Sequence, residues 1–168
     1  MEYREIIGID PDTEKSGVAT LKIRDNKPEL TLERMTFPQL MGFLDMKAKE
    51  AKYGNDSITV VVEKGWFSSA NYRINPKGGP RVAAAQGLDI GRNHETGRKI
   101  VEMARDYFNM KVEEVTPLRK VWHGHDGKIT KEELESFAGP LPRCNQDERD
   151  AALLAWVYSG LPIIVKPL

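Results

Sequence analysis

Four acidic residues stand where their carboxylates could act on one ligand. Asp10 and Glu63 each follow an apolar run rich in β-branched residues. Asp147 and Asp150 are three residues apart at the start of a helical pattern, so they share one face of that helix. An acid at the end of a strand is often an ordinary edge or capping residue, and each position taken alone leaves that alternative open.

Taken together, the four acids suit metal-dependent chemistry. Neighbouring carboxylates repel and raise one another's pKa unless positive charge lies between them. Hard divalent cations take oxygen ligands, and Mg²⁺ prefers a few carboxylates together with waters and substrate phosphates. Two such ions roughly 4 Å apart can activate a water molecule and stabilise the leaving oxygen of a phosphodiester. The acids therefore predict a metal site with ligands suited to phosphodiester chemistry, provided that the fold brings them together.

Hydrophobic patterning predicts the elements that would position these acids. Strands are predicted over residues 4–10, 16–23, 29–35, 57–64 and 111–117, and helices over about 36–52, 81–109, 130–139 and 147–160. The first three strands can form an antiparallel meander, whereas the later strands need helical crossovers that favour parallel pairing. The prediction is one three-layer α/β domain over residues 1–168, with a mixed sheet flanked by helices. If the first and fourth strands are neighbours, Asp10 and Glu63 meet at their ends.

Composition argues against several classes of protein. The chain has 168 residues, of which 40% are hydrophobic and 30% charged, as in ordinary globular domains. No apolar run approaches the roughly 20 residues that span a bilayer, and the N-terminus lacks the apolar segment of a secretory signal. Cys144 is the only cysteine, so no internal disulfide can form. A cytoplasmic protein without a membrane partner is expected.

Charge is balanced overall but segregated along the chain. Lysine plus arginine and aspartate plus glutamate both total 25, yet residues 64–99 carry seven basic side chains against two acidic ones. Aromatic rings among basic residues suit nucleic acid, because rings stack on splayed bases and cations neutralise phosphates. An alternative is that the aromatic pair at 66 and 67 packs over the sheet edge. The candidate DNA-binding residues of this segment are Lys64, Trp66, Phe67, Arg73, Lys77 and Arg81.

Five segments resemble the RuvC-type Holliday junction resolvases of the RNase H-like superfamily. They are GIDPD…SGVA, VVEKGWF, QGLDIGRN…G, TPLRKVWHG and DERDAALLAW, and their order and spacing cover nearly the whole chain. The resemblance implies an RNase H-like fold with five strands. It also implies that the metal-binding catalytic acids are Asp10, Glu63, Asp147 and Asp150. Lys120 and Lys131 fall where the family has basic residues near the scissile phosphate, and Trp66 falls where an aromatic residue stacks at the junction centre.

The function implied by this resemblance is metal-dependent cleavage of branched DNA. Four-way junctions are the expected substrate, in recombination or repair, with two Mg²⁺ ions as cofactor and Mn²⁺ as a substitute. A homodimer is expected with an unusual interface, since the segment RNHETGRK is more polar than the helix that the family uses for dimerisation. Two further departures are Asp12, where the family usually has glycine, and the additional segment NYRINPKGGPR.

Other functions remain open on the sequence. Another RNase H-like nuclease, cutting RNA–DNA hybrids or flaps, would need the same acids. A non-catalytic DNA-binding accessory module is a second alternative, although the four acids argue against it. Lys131 could be a solvated helix residue, and His123 and His125 indicate a glycine-flanked polar loop rather than a metal site.

Overall fold

The computed structural model describes residues 3–54, 57–67 and 79–164. Its strands are β1 Tyr3–Asp10, β2 Ser16–Arg24, β3 Lys27–Met35, β4 Ser57–Glu63 and β5 Lys111–Val115. Its α-helices are α1 Phe37–Tyr53, α2 Gly79–Glu102, α3 Lys131–Ala138 and α4 Gln146–Ser159. Short 3₁₀ helices span Gly65–Phe67 and His125–Gly127, and a π-helical turn, Met103–Tyr107, continues α2. None of the helices in these ranges is long and apolar enough to cross a membrane.

The sheet has the order β3-β2-β1-β4-β5. β1 pairs antiparallel with β2, and β2 pairs antiparallel with β3. β4 lies parallel to β1 on one side and to β5 on the other. The predicted mixed five-stranded sheet is therefore confirmed, and so is the neighbouring position of the first and fourth strands.

The turn between β2 and β3 is tighter than the sequence predicts. Asp25 and Asn26 form it alone, with φ values of 48° and 62°, the left-handed conformations that suit two-residue hairpins. Strand β3 therefore begins at Lys27 rather than at residue 29, and Pro28 pairs with Ile23 inside it. The edge position of β3 explains this, because an edge strand tolerates a residue without a backbone N–H.

The two faces of the sheet bury different helices. Ile7, Ile9 and Val60 pack with Leu40 of α1 and Ile100 of α2 on one face. Each fully buried side chain of this size contributes roughly 1.5–3 kcal/mol relative to remaining exposed. On the other face, residues of the central strands pack against α3 and α4; this group includes Ile6, Ala19, Leu21, Val61, Leu134, Ala151 and Leu154. The three-layer α/β arrangement is thereby confirmed.

Two glycines let α4 lie directly on the sheet. A Cβ at Gly8 in β1 would overlap the carbonyl oxygen of Ala151. A Cβ at Gly17 in β2 would overlap the carbonyl oxygen of Asp147. The absence of side chains at these points places the first turn of α4 over the C-terminal end of β1.

Local hydrogen bonds determine where α4 begins. The Asn145 side chain accepts a hydrogen bond from the Glu148 backbone N–H at 3.0 Å, and Glu148 Oε2 accepts one from the Asn145 N–H at 2.7 Å. This capping box satisfies donors that a helix N-terminus otherwise leaves unpaired. It starts the helix at Gln146, close to the predicted start. The capping box predicted at Thr130 is also present, with Glu133 as its partner.

Candidate active site

The strand register aligns charged residues across one end of the sheet. Asp10 is paired with Gly17, and Gly17 is paired with Arg34 of β3. On the other side of β1, Ile9 is paired with Val62, so Glu63 ends its parallel strand beside Asp10. Because paired residues of neighbouring strands project from the same face, the ends of β1 and β4 present two carboxylates to the layer that contains α4.

Helix α4 adds two further carboxylates above this end of the sheet. Asp147 and Asp150 belong to its first two turns, and the main chain at Asp147 lies on Gly17. An open pocket next to the sheet is lined by Asp10, Glu63 and Asp150, together with Lys120 and Lys128. We call Asp10, Glu63, Asp147 and Asp150 the acid cluster.

The acids of the cluster are close enough to alter one another's ionisation. The pKa of Asp10 is raised well above its ordinary value of 3.8, first by burial and then by the charges of Glu63, Asp150 and Asp147. The pKa of Glu63 is raised from its ordinary 4.5 by burial and by the charge of Asp150. The positive charge of Lys128 opposes both shifts. Such a site is short of positive charge, which is the electrostatic condition for binding a cation.

We expect the metal-free protein to lose stability as the pH rises through the raised pKa of Asp10. A carboxyl whose pKa is higher in the folded state binds its proton more tightly there than in the unfolded chain, so its ionisation favours unfolding. Urea denaturation in EDTA, from about pH 5 to about pH 8, measures this dependence. Asp10→Asn should flatten the curve and make the variant the more stable protein at the alkaline end. Identical curves for the two proteins would contradict the assigned pKa shift.

Protein donors hold the two aspartates of α4. Lys128 Nζ donates to Asp150 Oδ2 at 2.7 Å, and Gln146 Nε2 donates to Asp150 Oδ1 at 2.6 Å. Asp147 Oδ2 accepts a hydrogen bond from Asn145 Nδ2 at 3.2 Å and lies 3.5 Å from a guanidinium nitrogen of Arg34. The negative charge of the cluster is therefore partly compensated by cations of the protein itself.

The donor set of the cluster fits a hard divalent cation. It supplies carboxylate oxygens at one pocket, in the number and type that Mg²⁺ or Mn²⁺ takes from proteins. Within residues 3–54, 57–67 and 79–164, no three His, Cys, Asp or Glu side chains are arranged to surround one ion. Asp147 and Asp150 are both engaged by protein donors. Asp10 and Glu63 would hold an ion with Asp147 or Asp150 once these contacts are exchanged.

A tightly bonded loop carries two lysines to the pocket. Glu133 of α3 is buried and accepts hydrogen bonds from the backbone N–H groups of His123 and Thr130 at 3.1 and 2.9 Å. His123 Nδ1 lies 2.6 Å from the same carboxylate. Burial would raise the pKa of Glu133, but these hydrogen bonds outweigh burial and lower it. The carboxylate therefore stays ionised and fixes the loop between Lys120 and Thr130.

The predicted DNA-contacting residues of the described ranges have varied surroundings. Lys64 lies 3.8 Å from Glu114, and Arg81 is exposed on the first turn of α2. Lys131 Nζ lies 3.5 Å from Glu135, and Lys120 is exposed at the pocket.

The aromatic residue Trp66 is partly buried. Its ring packs on Gly97 of α2, where a Cβ would collide with it, and it contacts the core on the α1–α2 face. The ring thus packs against α2 and the core, and its stacking on DNA stays a prediction. The side chain of Phe67, and Arg73 and Lys77 entirely, lie outside the described residues.

Three residues of the site escaped sequence reasoning. Lys128 and Gln146 bind Asp150, and Arg34 approaches Asp147. The capping box at Thr130 indicated only that Lys128 lies just before a helix. No sequence pattern indicated that Lys128 contacts Asp150, which is 22 residues away. The proximity of Arg34 depends on the strand register, which the sequence left open.

Comparisons with known proteins identify the fold. No family model matches the sequence, and no curated protein matches it significantly. Thermus thermophilus RuvC in complex with a Holliday junction substrate matches with a TM-score of 0.51 and 17% identity, over 98% of this chain and 99% of that chain. A second Thermus thermophilus RuvC structure matches over the same shares, with a TM-score of 0.51 and 20% identity. Fowlpox virus resolvase with its Holliday junction DNA has a TM-score of 0.48 and 15% identity, over 93% of this chain and 99% of that chain. The chain thus has the RNase H-like fold of RuvC over nearly its whole length.

Proposed function

We propose that this protein is a metal-dependent endonuclease that cleaves branched DNA, with four-way junctions as its substrate, in recombination or repair. The observation that carries the proposal is the acid cluster, in which burial and mutual repulsion raise the pKa of Asp10 and Glu63. Carboxylates kept together at such a cost in stability are typical of functional sites. The RuvC fold adds support, since one RuvC structure with this fold holds a Holliday junction substrate.

The four acids take different parts in this proposal. The charges of all three other acids act on Asp10, so it is the acid that would hold Mg²⁺ or Mn²⁺ together with each of them. Glu63 would supply a further carboxylate ligand from β4, and Asp147 and Asp150 would supply theirs from α4. Bound there, the ions would supply Lewis acidity for attack of water on the phosphodiester and for departure of the leaving oxygen. Lys120, which is exposed at the pocket, would donate to a phosphate oxygen.

Basic side chains would contact the phosphates of the DNA. Lys64, Arg81 and Lys131 neutralise phosphates in this proposal, as do Arg73 and Lys77 of the segment outside the described residues. The exposed part of the Trp66 ring, together with Phe67, would stack on unstacked bases.

A four-way junction has approximate two-fold symmetry, so paired nicks require two active sites, and we propose a homodimer. The interface of this homodimer would differ from the apolar helix interface of the RuvC-type resolvases, because residues 92–99 are polar.

A cleavage assay on four labelled substrates tests the function. Four-way junction, flap, linear duplex and RNA–DNA hybrid are incubated with Mg²⁺, Mn²⁺ or EDTA. We expect symmetrically paired nicks in the junction alone, and no cleavage in EDTA. Cleavage of the hybrid or the flap instead of the junction would support a metal-dependent nuclease but refute the four-way junction as its substrate. Tight junction binding without cleavage under any metal condition would identify an accessory protein and refute the nuclease.

A further inference from the structure

We infer that Lys128 is a built-in counter-ion of the acid cluster, and that a divalent ion binds Asp150 only by displacing the Lys128 ammonium. Lys128 then sets the metal affinity of the site without being one of its ligands. The inference rests on the proposed function for the presence of a metal ion, but it concerns binding rather than cleavage.

The contacts of Asp150 are the first support. Lys128 Nζ donates a hydrogen bond to Asp150 Oδ2 at 2.7 Å, and Gln146 Nε2 donates one to Asp150 Oδ1 at 2.6 Å. The Asp150 side chain is 17% exposed and that of Lys128 is 37% exposed. Both carboxylate oxygens are therefore engaged, and one of the two partners is a full positive charge. A metal ion that takes Oδ2 must compete with this charge-assisted hydrogen bond.

The reach of the Lys128 charge is the second support. It acts on Asp10, Glu63 and Asp147 as well as on Asp150. Lys120, which lines the same pocket, acts on Glu63 but forms no comparable ion pair within the described part of the chain. Within the acid cluster, Arg34 approaches Asp147, at 3.5 Å. Lys128 is thus the cation that the whole cluster shares.

The backbone around Lys128 is fixed, whereas its side chain can leave. The Lys128 carbonyl accepts a hydrogen bond from the Gly124 N–H at 2.9 Å, and the Lys128 N–H donates to His125 O at 3.2 Å. Lysine has a flexible four-carbon stem and a compact charge that water solvates well. Rotation of the stem toward solvent would release Asp150 while the loop held by Glu133 stays in place. The displaced ammonium remains at the mouth of the pocket.

Removing the ammonium should therefore tighten metal binding. In Lys128→Met, we expect half-saturation at a roughly tenfold lower Mg²⁺ or Mn²⁺ concentration, because a hydrogen bond to a charged group no longer competes. The metal-free variant should also melt at a lower temperature than the wild type, since the acids lose their shared cation. Saturating metal should reverse most of that difference, so the metal-induced rise in melting temperature is larger in the variant.

The test is a metal titration of the whole chain without DNA, followed by thermal melting and by calorimetry. Lys49→Met is the matched control, because it removes a lysine ion pair of similar kind, between Lys49 and Asp45 of α1 at 2.6 Å, that lies outside the acid cluster. Its metal affinity should equal that of the wild type. Lys128→Arg retains the charge and should restore an affinity near that of the wild type, which also keeps the inference testable if Lys128→Met does not fold.

The outcomes separate this inference from the proposed function. Equal or weaker metal binding by Lys128→Met would overturn the inference, and junction cleavage by the wild type would still stand. Lys128→Arg binding metal as tightly as a charge-free variant, Lys128→Gln, would overturn it as well. Tighter binding by Lys128→Met in a protein that cuts no junction would support the inference and refute the nuclease. No metal binding by any variant would refute both.

Discussion

Asp10→Asn is expected to reduce junction cleavage on the order of 10³-fold or more, with folding and junction binding retained. The charges of the other three acids all raise the pKa of Asp10. The substitution removes the Asp10 charge while keeping the size of the side chain. We expect the loss because a neutral amide would hold a divalent cation much more weakly than a carboxylate does. Folding is spared because burial already disfavours the charged carboxyl, so the amide relieves repulsion within the acid cluster.

Single-turnover cleavage and junction binding, measured on the same preparation, check this expectation. Asp12→Asn is the matched control, since Asp12 lies two residues farther along, in the loop after β1, and its Oδ1 accepts hydrogen bonds from the Glu14 and Lys15 N–H groups. An asparagine amide oxygen can accept the same bonds, so the control should cleave normally. Cleavage by Asp10→Asn at a rate within a few-fold of the wild type would refute the assignment of Asp10.

Gly17→Ala is expected to destabilise the protein by about 3 kcal/mol, near the upper end of the usual cost of overpacking. The added methyl group would overlap the carbonyl of Asp147, which is backbone and cannot rotate away. Helix α4 must therefore move off β2. Because this part of α4 carries Asp147 and Asp150, we also expect weaker metal binding in the molecules that remain folded.

Gly42→Ala provides the comparison for this substitution. Gly42 is exposed in α1, and a Cβ there would meet no atom within 4 Å beyond its chain neighbours and the helix backbone around it. Alanine favours a helix interior over glycine by about 1 kcal/mol, so this variant should be as stable as the wild type or more stable. Urea denaturation of both variants measures the difference. A Gly17→Ala protein with wild-type stability would show that α4 does not need the close approach to β2.

Local features of the chain were predictable because neighbouring residues produce them. Apolar β-branched runs specify strands that are buried on both faces, and the strands around Ile7 and Val60 form as predicted. The capping residue Thr130 and its partner Glu133 are only three positions apart, so their interaction is visible in the sequence. Asp10 and Glu63 could be proposed as neighbours, because the carboxyl ends of adjacent parallel strands meet at one edge.

Features that join distant parts of the chain required the folded structure. The pairing of Gly17 with Arg34 depends on a hairpin whose turn is two residues shorter than the pattern suggested. The contact of Lys128 with Asp150 depends on how a loop, held by Glu133, lies against the start of α4. No local pattern encodes such a contact, since a lysine ammonium on a flexible stem can reach many partners. Lys128 contacts Asp150 because long-range packing brings the Asp150 carboxylate within hydrogen-bonding distance and fixes the backbone of both residues.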